Sequence, residues 1–295
     1  MAFRSLHLIA VCVALVMAGA ARPAAQPVER TAFVTLVDRA TGAPRVEVTA
    51  RDLVIREDGT TREILRVVPA DGPMPIAVLV DTSAGAENTI ADVRAGMTAF
   101  LDALGDLGPV AIVAFGERPT VLTPYTTSRP DLTAGIGRIF ARPNSFATLL
   151  EAIDETARGL AKRESERAAL VVVSTNGAEQ VGGHYTRTLS SLQASGAALH
   201  VVNLSIPGLT RFDDAARQRD MLLDRGVRLT GGMRTDVLAT MAWPQAMASV
   251  ARVLAHQVKV VYARPQTLLP PETFTVTAAS PGHIAYGGMA KGQPQ

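Results

Sequence analysis

Apolar and polar residues alternate with the two-residue period of half-buried strands over residues 32–69, as in AFVTLVD (32–38) and DLVIREDGTTREILRVV (52–68). Asp58-Gly59 interrupts the second run, and this dipeptide between β-rich flanks predicts a tight hairpin. PADGPMP (69–75), with three prolines and a glycine, reads as a linker. Beyond it the period changes. PIAVLVD is an unbroken apolar run, the mark of a strand covered on both faces. Apolar positions at 90, 93, 97, 100, 101 and 104 then recur with helical spacing, which predicts a helix over 89–104 with Asn88 as its N-cap. Strands are expected at 110–115, 169–175, 198–205 and 232–236, and PTVLTPYT is expected to form an edge hairpin with the first of these. Helices are expected between them, at 131–140, 147–161, 185–194, 212–224 (ending at Arg225-Gly226) and 242–255.

This order predicts an α/β fold, a doubly wound and mostly parallel sheet with helices on both faces. Alternation returns in VKVVYA and TFTVTAA after residue 258. The β-rich start and end are therefore expected to pair with each other as a small β domain. The divisions that follow are an N-terminal β segment over 27–72, the α/β unit over 73–257, a C-terminal β segment over 258–288 and a loose tail over 289–295.

The start of the chain reads differently. Arg4 and His7 precede the apolar run LIAVCVALVMAGA (8–20), which is too short to span a bilayer comfortably, and Ala18-Gly19-Ala20 supplies a small-residue cleavage pattern; an uncleaved N-terminal anchor is the alternative. Residues 1–25 are expected to be a signal peptide, cut after Ala20 or Ala25, and the protein to be exported to the periplasm or beyond. Cys12, the one cysteine, lies inside this run, so the expected mature chain has no disulfide and no thiol chemistry. No later segment holds the roughly eighteen continuous apolar residues of a membrane span. The net charge is +2 with only three lysines, and the arginines are interleaved with acids, so no basic stripe for nucleic acid is present.

In open α/β sheets the binding crevice lies beyond the carboxyl ends of the strands. Three loops are expected to meet there: DTSAG (81–85), NSFATLL (144–150) and STNGAEQ (174–180). This set resembles the von Willebrand factor A domain, and over residues 32–279 the chain resembles a bacterial exported subfamily related to it. The resemblance implies a metal-ion-dependent adhesion site built on D-x-S-x-S, a threonine loop and an aspartate turn. Asp81 and Ser83 match the first motif, with Thr82 between them. Gly85 stands in place of the second serine, Ala147 at the threonine position with Thr148 beside it, and Asn176 in place of the second aspartate. Mg²⁺ wants about six oxygens in near-octahedral array. Two ligand oxygens and one negative charge are missing, although Glu87 and Glu179 are near enough in sequence to substitute.

The expectation is a non-enzymatic module that binds a protein partner through Asp81, Thr82, Ser83, Gly85, Ala147, Thr148, Asn176 and Glu179, without a cofactor. The alternative is an Mg²⁺- or Mn²⁺-dependent binder holding the ion through Asp81, Ser83 and Thr148. An exported hydrolase comes third. No G-x-S-x-G elbow, phosphate loop or H-E-x-x-H pair is present. Of the histidines, His200 is expected as a satisfied core residue, His256 at a helix end, and His184 and His283 in turns.

Overall fold

The structure, a computed structural model, describes residues 27–175, 177–180, 183–205, 213–266 and 269–291. The expected signal peptide, Cys12, Asn176 and the last residues of the tail lie outside the described residues.

The central sheet has six strands in the order β10-β9-β8-β5-β6-β7. They are β5 (Ile76–Val80), β6 (Val110–Ala114), β7 (Thr120–Thr126), β8 (Ala168–Ser174), β9 (Ala197–Leu204) and β10 (Arg234–Val237). All pair in parallel except β7, which returns antiparallel on β6 as the edge hairpin expected from PTVLTPYT. All five residues of β5 are fully buried. Its pleat sends Ala77 and Leu79 into one core layer and Ile76, Val78 and Val80 into the other.

Helices α1 (Ile90–Leu104), α2 (Arg129–Gly137) and α6 (Trp243–Ala255) supply Met97, Phe100, Ile136, Trp243 and Met247 to the second of these layers. The first layer is closed by α3 (Leu149–Ala161), α4 (Tyr185–Ser195) and α5 (Asp214–Thr230) through Leu149, Ile153, Leu192 and Leu222. A doubly wound sheet needs this split, because each face must be covered.

Two antiparallel sheets flank this unit, in the orders β13-β1-β11-β4 and β12-β2-β3. They comprise β1 (Pro27–Asp38), β2 (Leu53–Glu57), β3 (Thr60–Arg62), β4 (Ile64–Pro69), β11 (Val258–Pro265), β12 (Phe274–Ala278) and β13 (His283–Met289). Strands from the two ends of the chain pair directly, β1 with β11 and β2 with β12. Their inward residues, among them Val34, Leu36, Ile55, Val260 and Tyr262, form a separate core. Asp58 and Gly59 both take positive φ (48° and 75°), the geometry of the two-residue hairpin that joins β2 to β3.

Four details differ from the sequence expectations. A 3-10 turn over Ala84–Thr89 precedes α1, so Thr89 rather than Asn88 is the N-cap. Residues 147 and 148 lie outside α3, which starts at Leu149. Helix α5 does not stop at Arg225-Gly226 but runs on to Thr230, ending at Gly231 in the left-handed conformation. Gly226 is a packing glycine: a Cβ there would lie 2.8 Å from Leu199 on β9. His283 does not sit in a turn but starts β13, a strand that the Gly287-Gly288 pair hides from pattern reading.

Candidate functional site

Asp81, Thr82 and Ser83 follow β5 at the carboxyl edge, and all three are buried. Asp81 points inward and accepts hydrogen bonds at both oxygens. Its Oδ1 accepts from the Ser83 amide at 2.9 Å, and its Oδ2 accepts from the Thr175 amide at 3.1 Å and from the Thr175 hydroxyl. Thr82 Oγ1 accepts from the Gly116 amide at 3.0 Å, which ties the turn to the end of β6.

Ala147 lies between two other loops as the middle rung of a short ladder. It bridges Gly116 on one side and Glu179 on the other. Its amide donates to Ala178 O at 2.7 Å, and its carbonyl accepts from the Gln180 amide at 2.8 Å. Thr148 donates from both its amide (2.8 Å) and its hydroxyl (3.1 Å) to Phe115 O. The edge is therefore stitched largely through the backbone, and Ala147 serves by its peptide groups while its methyl joins the core.

Glu179 is a helix cap. Its Oε1 accepts from the first amides of α3, Leu149 at 2.7 Å and Leu150 at 3.4 Å, where a helix leaves donors unsatisfied. The residue is buried, and its other oxygen has no hydrogen-bond partner. Burial pushes its carboxyl up to about 8. The two backbone donors and Arg219 pull the value down, and Asp81 adds to the rise. Glu87 is exposed on the 3-10 turn.

The position of the missing serine is closed. A Cβ on Gly85 would lie 2.7 Å from Gly177 Cα, and one on Gly177 would lie 2.7 Å from Ser83 Oγ. The two glycines let the Asp81 turn and the Gly177 loop touch through bare backbone. Restoring the serine by Gly85→Ser is thus expected to cost about 1–3 kcal/mol through overpacking. That lowers the melting temperature by several degrees and creates no Mg²⁺ dependence. An unchanged melt, or one that Mg²⁺ raises, would mean that the loops can separate.

The donor set does not suit a hard divalent cation. Asp81 is already engaged at both oxygens, and position 85 has neither an oxygen nor room for one, which leaves too few free oxygens for a six-coordinate ion. Ser83 Oγ has no partner but faces the Gly177 backbone. Among the described residues no cluster of three His, Cys, Asp or Glu could hold a metal.

Two contributors escaped sequence reading. Thr175 holds Asp81. Arg219, 2% exposed on α5, donates from Nη1 to Gly177 O at 2.9 Å. Of the histidines, His256 closes α6 as expected, with Nδ1 2.8 Å from Arg252 O. His184 is the N-cap of α4, its side chain accepting from the Thr186 amide. His200 is buried on β9 and only half satisfied: Nδ1 accepts from the Met233 amide at 3.2 Å, and Nε2 has no partner.

Residues 76–178 match the family model described as von Willebrand factor type A domain. The central α/β unit of this chain has the fold of that domain type, and the match covers its first part. Among solved structures, the von Willebrand factor type A protein from Catenulispora acidiphila is similar over 92% of this chain and 76% of its own, with a TM-score of 0.52 and 9% identity. Proximal thread matrix protein 1 from the mussel byssus is similar over 63% of this chain, with a TM-score of 0.50 and 13% identity. This chain spans about half (49%) of that protein. At these identities the likeness is one of fold. No curated protein sequence matches the chain.

Proposed function

We propose that this protein is an exported, non-enzymatic interaction module that docks a protein partner on the carboxyl edge of its central sheet, without a metal ion. The observation that carries this reading is the set of exposed apolar side chains on the loops that follow the carboxyl ends of the strands. Phe140 (63% exposed) and Phe146 (56%) stand on the loop that holds Ala147, and Leu238 (69%) and Met241 (82%) follow β10. Arg94 on α1 stacks over Phe140 at 4.5 Å and donates to Ile139 O, which fixes that loop. Large exposed apolar side chains, on the same edge as a polar turn that is already hydrogen-bonded, suit a contact surface better than a reaction site.

The export signal over residues 1–25 and the division into an α/β unit and a composite β domain belong to the same proposal. Among the described residues no helix is long and apolar enough to cross a membrane.

One observation favours the metal-dependent alternative. Ser83 Oγ and Glu179 Oε2 are both buried without a partner, as vacant ligand oxygens would be. A melt decides between the two. The purified chain is expected to unfold at the same temperature in EDTA and in millimolar Mg²⁺ or Mn²⁺. An ion at a hundred times its dissociation constant would stabilise it by about 2.7 kcal/mol, and a shift of that size that disappears in Asp81→Ala would overturn the metal-free reading. For docking itself, the partner captured by the wild type in EDTA is expected to be lost from a Phe140→Asp/Phe146→Asp variant that melts normally. Retention by that variant would move the contact elsewhere.

A further inference from the structure

We propose that Arg219 stands in structurally for the cation this edge lacks: its guanidinium, fixed inside the fold, holds the Gly177 loop against the Asp81 turn. The inference rests on the metal-free reading above and adds what replaces the ion.

Arg219 is out of place on its helix. Its neighbours Arg217 and Arg228 have side chains 65% and 64% exposed and pair with acids one helical turn or less away. The Arg219 side chain is 3% exposed and points into the protein. Taking a guanidinium out of water is costly unless its donors are used and its charge is met. Here Nη1 donates to Gly177 O at 2.9 Å and Nε to Asp220 Oδ1 at 3.1 Å, and the charge also acts on the buried Glu179.

What Arg219 grips is the element that closes the crevice. Gly177 is the residue whose backbone fills the space in front of Ser83 Oγ and beside Gly85. A divalent ion would draw separate loops together by taking an oxygen from each. An arginine can draw one loop inward by a charge-assisted bond to a carbonyl, and its charge is permanent. The two devices differ in one respect that can be measured. An ion dissociates and leaves a second, unloaded state, whereas a side chain does not.

The test is hydrogen exchange with mass spectrometry on the full chain, read alongside the EDTA and Mg²⁺ melts. In Arg219→Met, amide exchange over residues 81–86 and 177–180 is expected to rise about tenfold, with the β1–β11 ladder unchanged, because the opening is local. In Arg219→Ala, millimolar ethylguanidinium is expected to slow these loops again, whereas ethylamine should do so less, since it lacks the planar fork.

Unchanged loop exchange in Arg219→Met overturns the proposal. So does a rise spread evenly over the whole chain, which would make Arg219 a contributor to global stability only. Should Arg219→Met fail to fold, Arg219→Lys is measured instead: loosening confined to the two loops supports the proposal, and native rates overturn it. A wild type stabilised by Mg²⁺ sinks the metal-free reading and this inference with it. A wild type indifferent to Mg²⁺, with loops unmoved in Arg219→Met, sinks this inference alone.

Discussion

At about pH 8.5 the Glu179→Gln variant is expected to be more stable than the wild type by several kcal/mol, and at about pH 5 to be no more stable. The Glu179 carboxyl sits at about 8 in the folded protein, raised first by burial, against an ordinary 4.5. A raised carboxyl contributes stability that is fully present below the unfolded value and is lost as pH climbs through the folded one. Above 4.5 the unfolded chain releases this proton while the folded chain keeps it, so stability falls over roughly 3.5 pH units, on the order of 5 kcal/mol in all.

His200 works in the opposite direction. Burial lowers its imidazole from 6.5 to about 4, so its contribution is present above 6.5 and is lost as pH falls toward 4. Between about 4.5 and 6.5 the two slopes cancel, which predicts a plateau with a decline on the alkaline side that belongs to Glu179. Glutamine can still accept the α3 amides through its carbonyl and has no proton to lose. Urea unfolding followed across pH checks this. An alkaline decline in Glu179→Gln as steep as in the wild type would show that another group causes it.

Glu57→Ala is expected to destabilise by about 3–5 kcal/mol, the effect of breaking a buried ion pair from one side. Glu57 is 1% exposed on β2 and serves three partners. Arg62 Nε lies at 2.9 Å, Arg264 Nε at 3.1 Å, and the Tyr262 hydroxyl donates at 2.9 Å. Burial first, and then the adjacent Glu57 carboxylate, push the Tyr262 hydroxyl upward, so it remains a donor at any ordinary pH. Truncating the carboxylate removes the acceptor that Arg62 Nε and the buried Tyr262 hydroxyl both use. Glu57→Gln keeps an acceptor and is expected to cost less than the alanine change. Chemical denaturation measures both. A loss under about 1 kcal/mol in Glu57→Ala would mean that water or another acid takes over the arginine.

The fold was legible because periods are local. Five apolar residues in a row over 76–80 and helical spacing over 90–104 each declare their type without reference to the rest of the chain. The strand His283–Met289 was not legible, because two adjacent glycines erase the signal. They are tolerated since a side chain at Gly287 would strike Phe33 O on the neighbouring strand, a fact of pairing and not of pattern.

At the carboxyl edge, the meeting of the loops around 81, 147 and 177 could be read from Asp81 at the end of an apolar run. The roles within it could not. Glu179 looked like a spare ligand and is a cap for a helix that starts thirty residues earlier. Gly85 looked like a deleted hydroxyl and is a contact point for Gly177. Arg219 is one arginine of a polar helix, distinguished from its neighbours only by which way the helix faces.

The pairing of β1 between β11 and β13 bears on how tension would pass through the molecule. Pro27 opens β1, and Met289, at the far end of β13, lies opposite Ala32 on that same strand. Force applied at residues 27 and 291 would meet the β1–β13 rungs one after another, from the Ala32–Met289 end inward. Lys291 is itself held by the α/β unit, its amide donating to Glu166 O at 2.9 Å and its ammonium to Leu160 O at 3.1 Å, so a pull there would load the end of α3 together with the flanking strands.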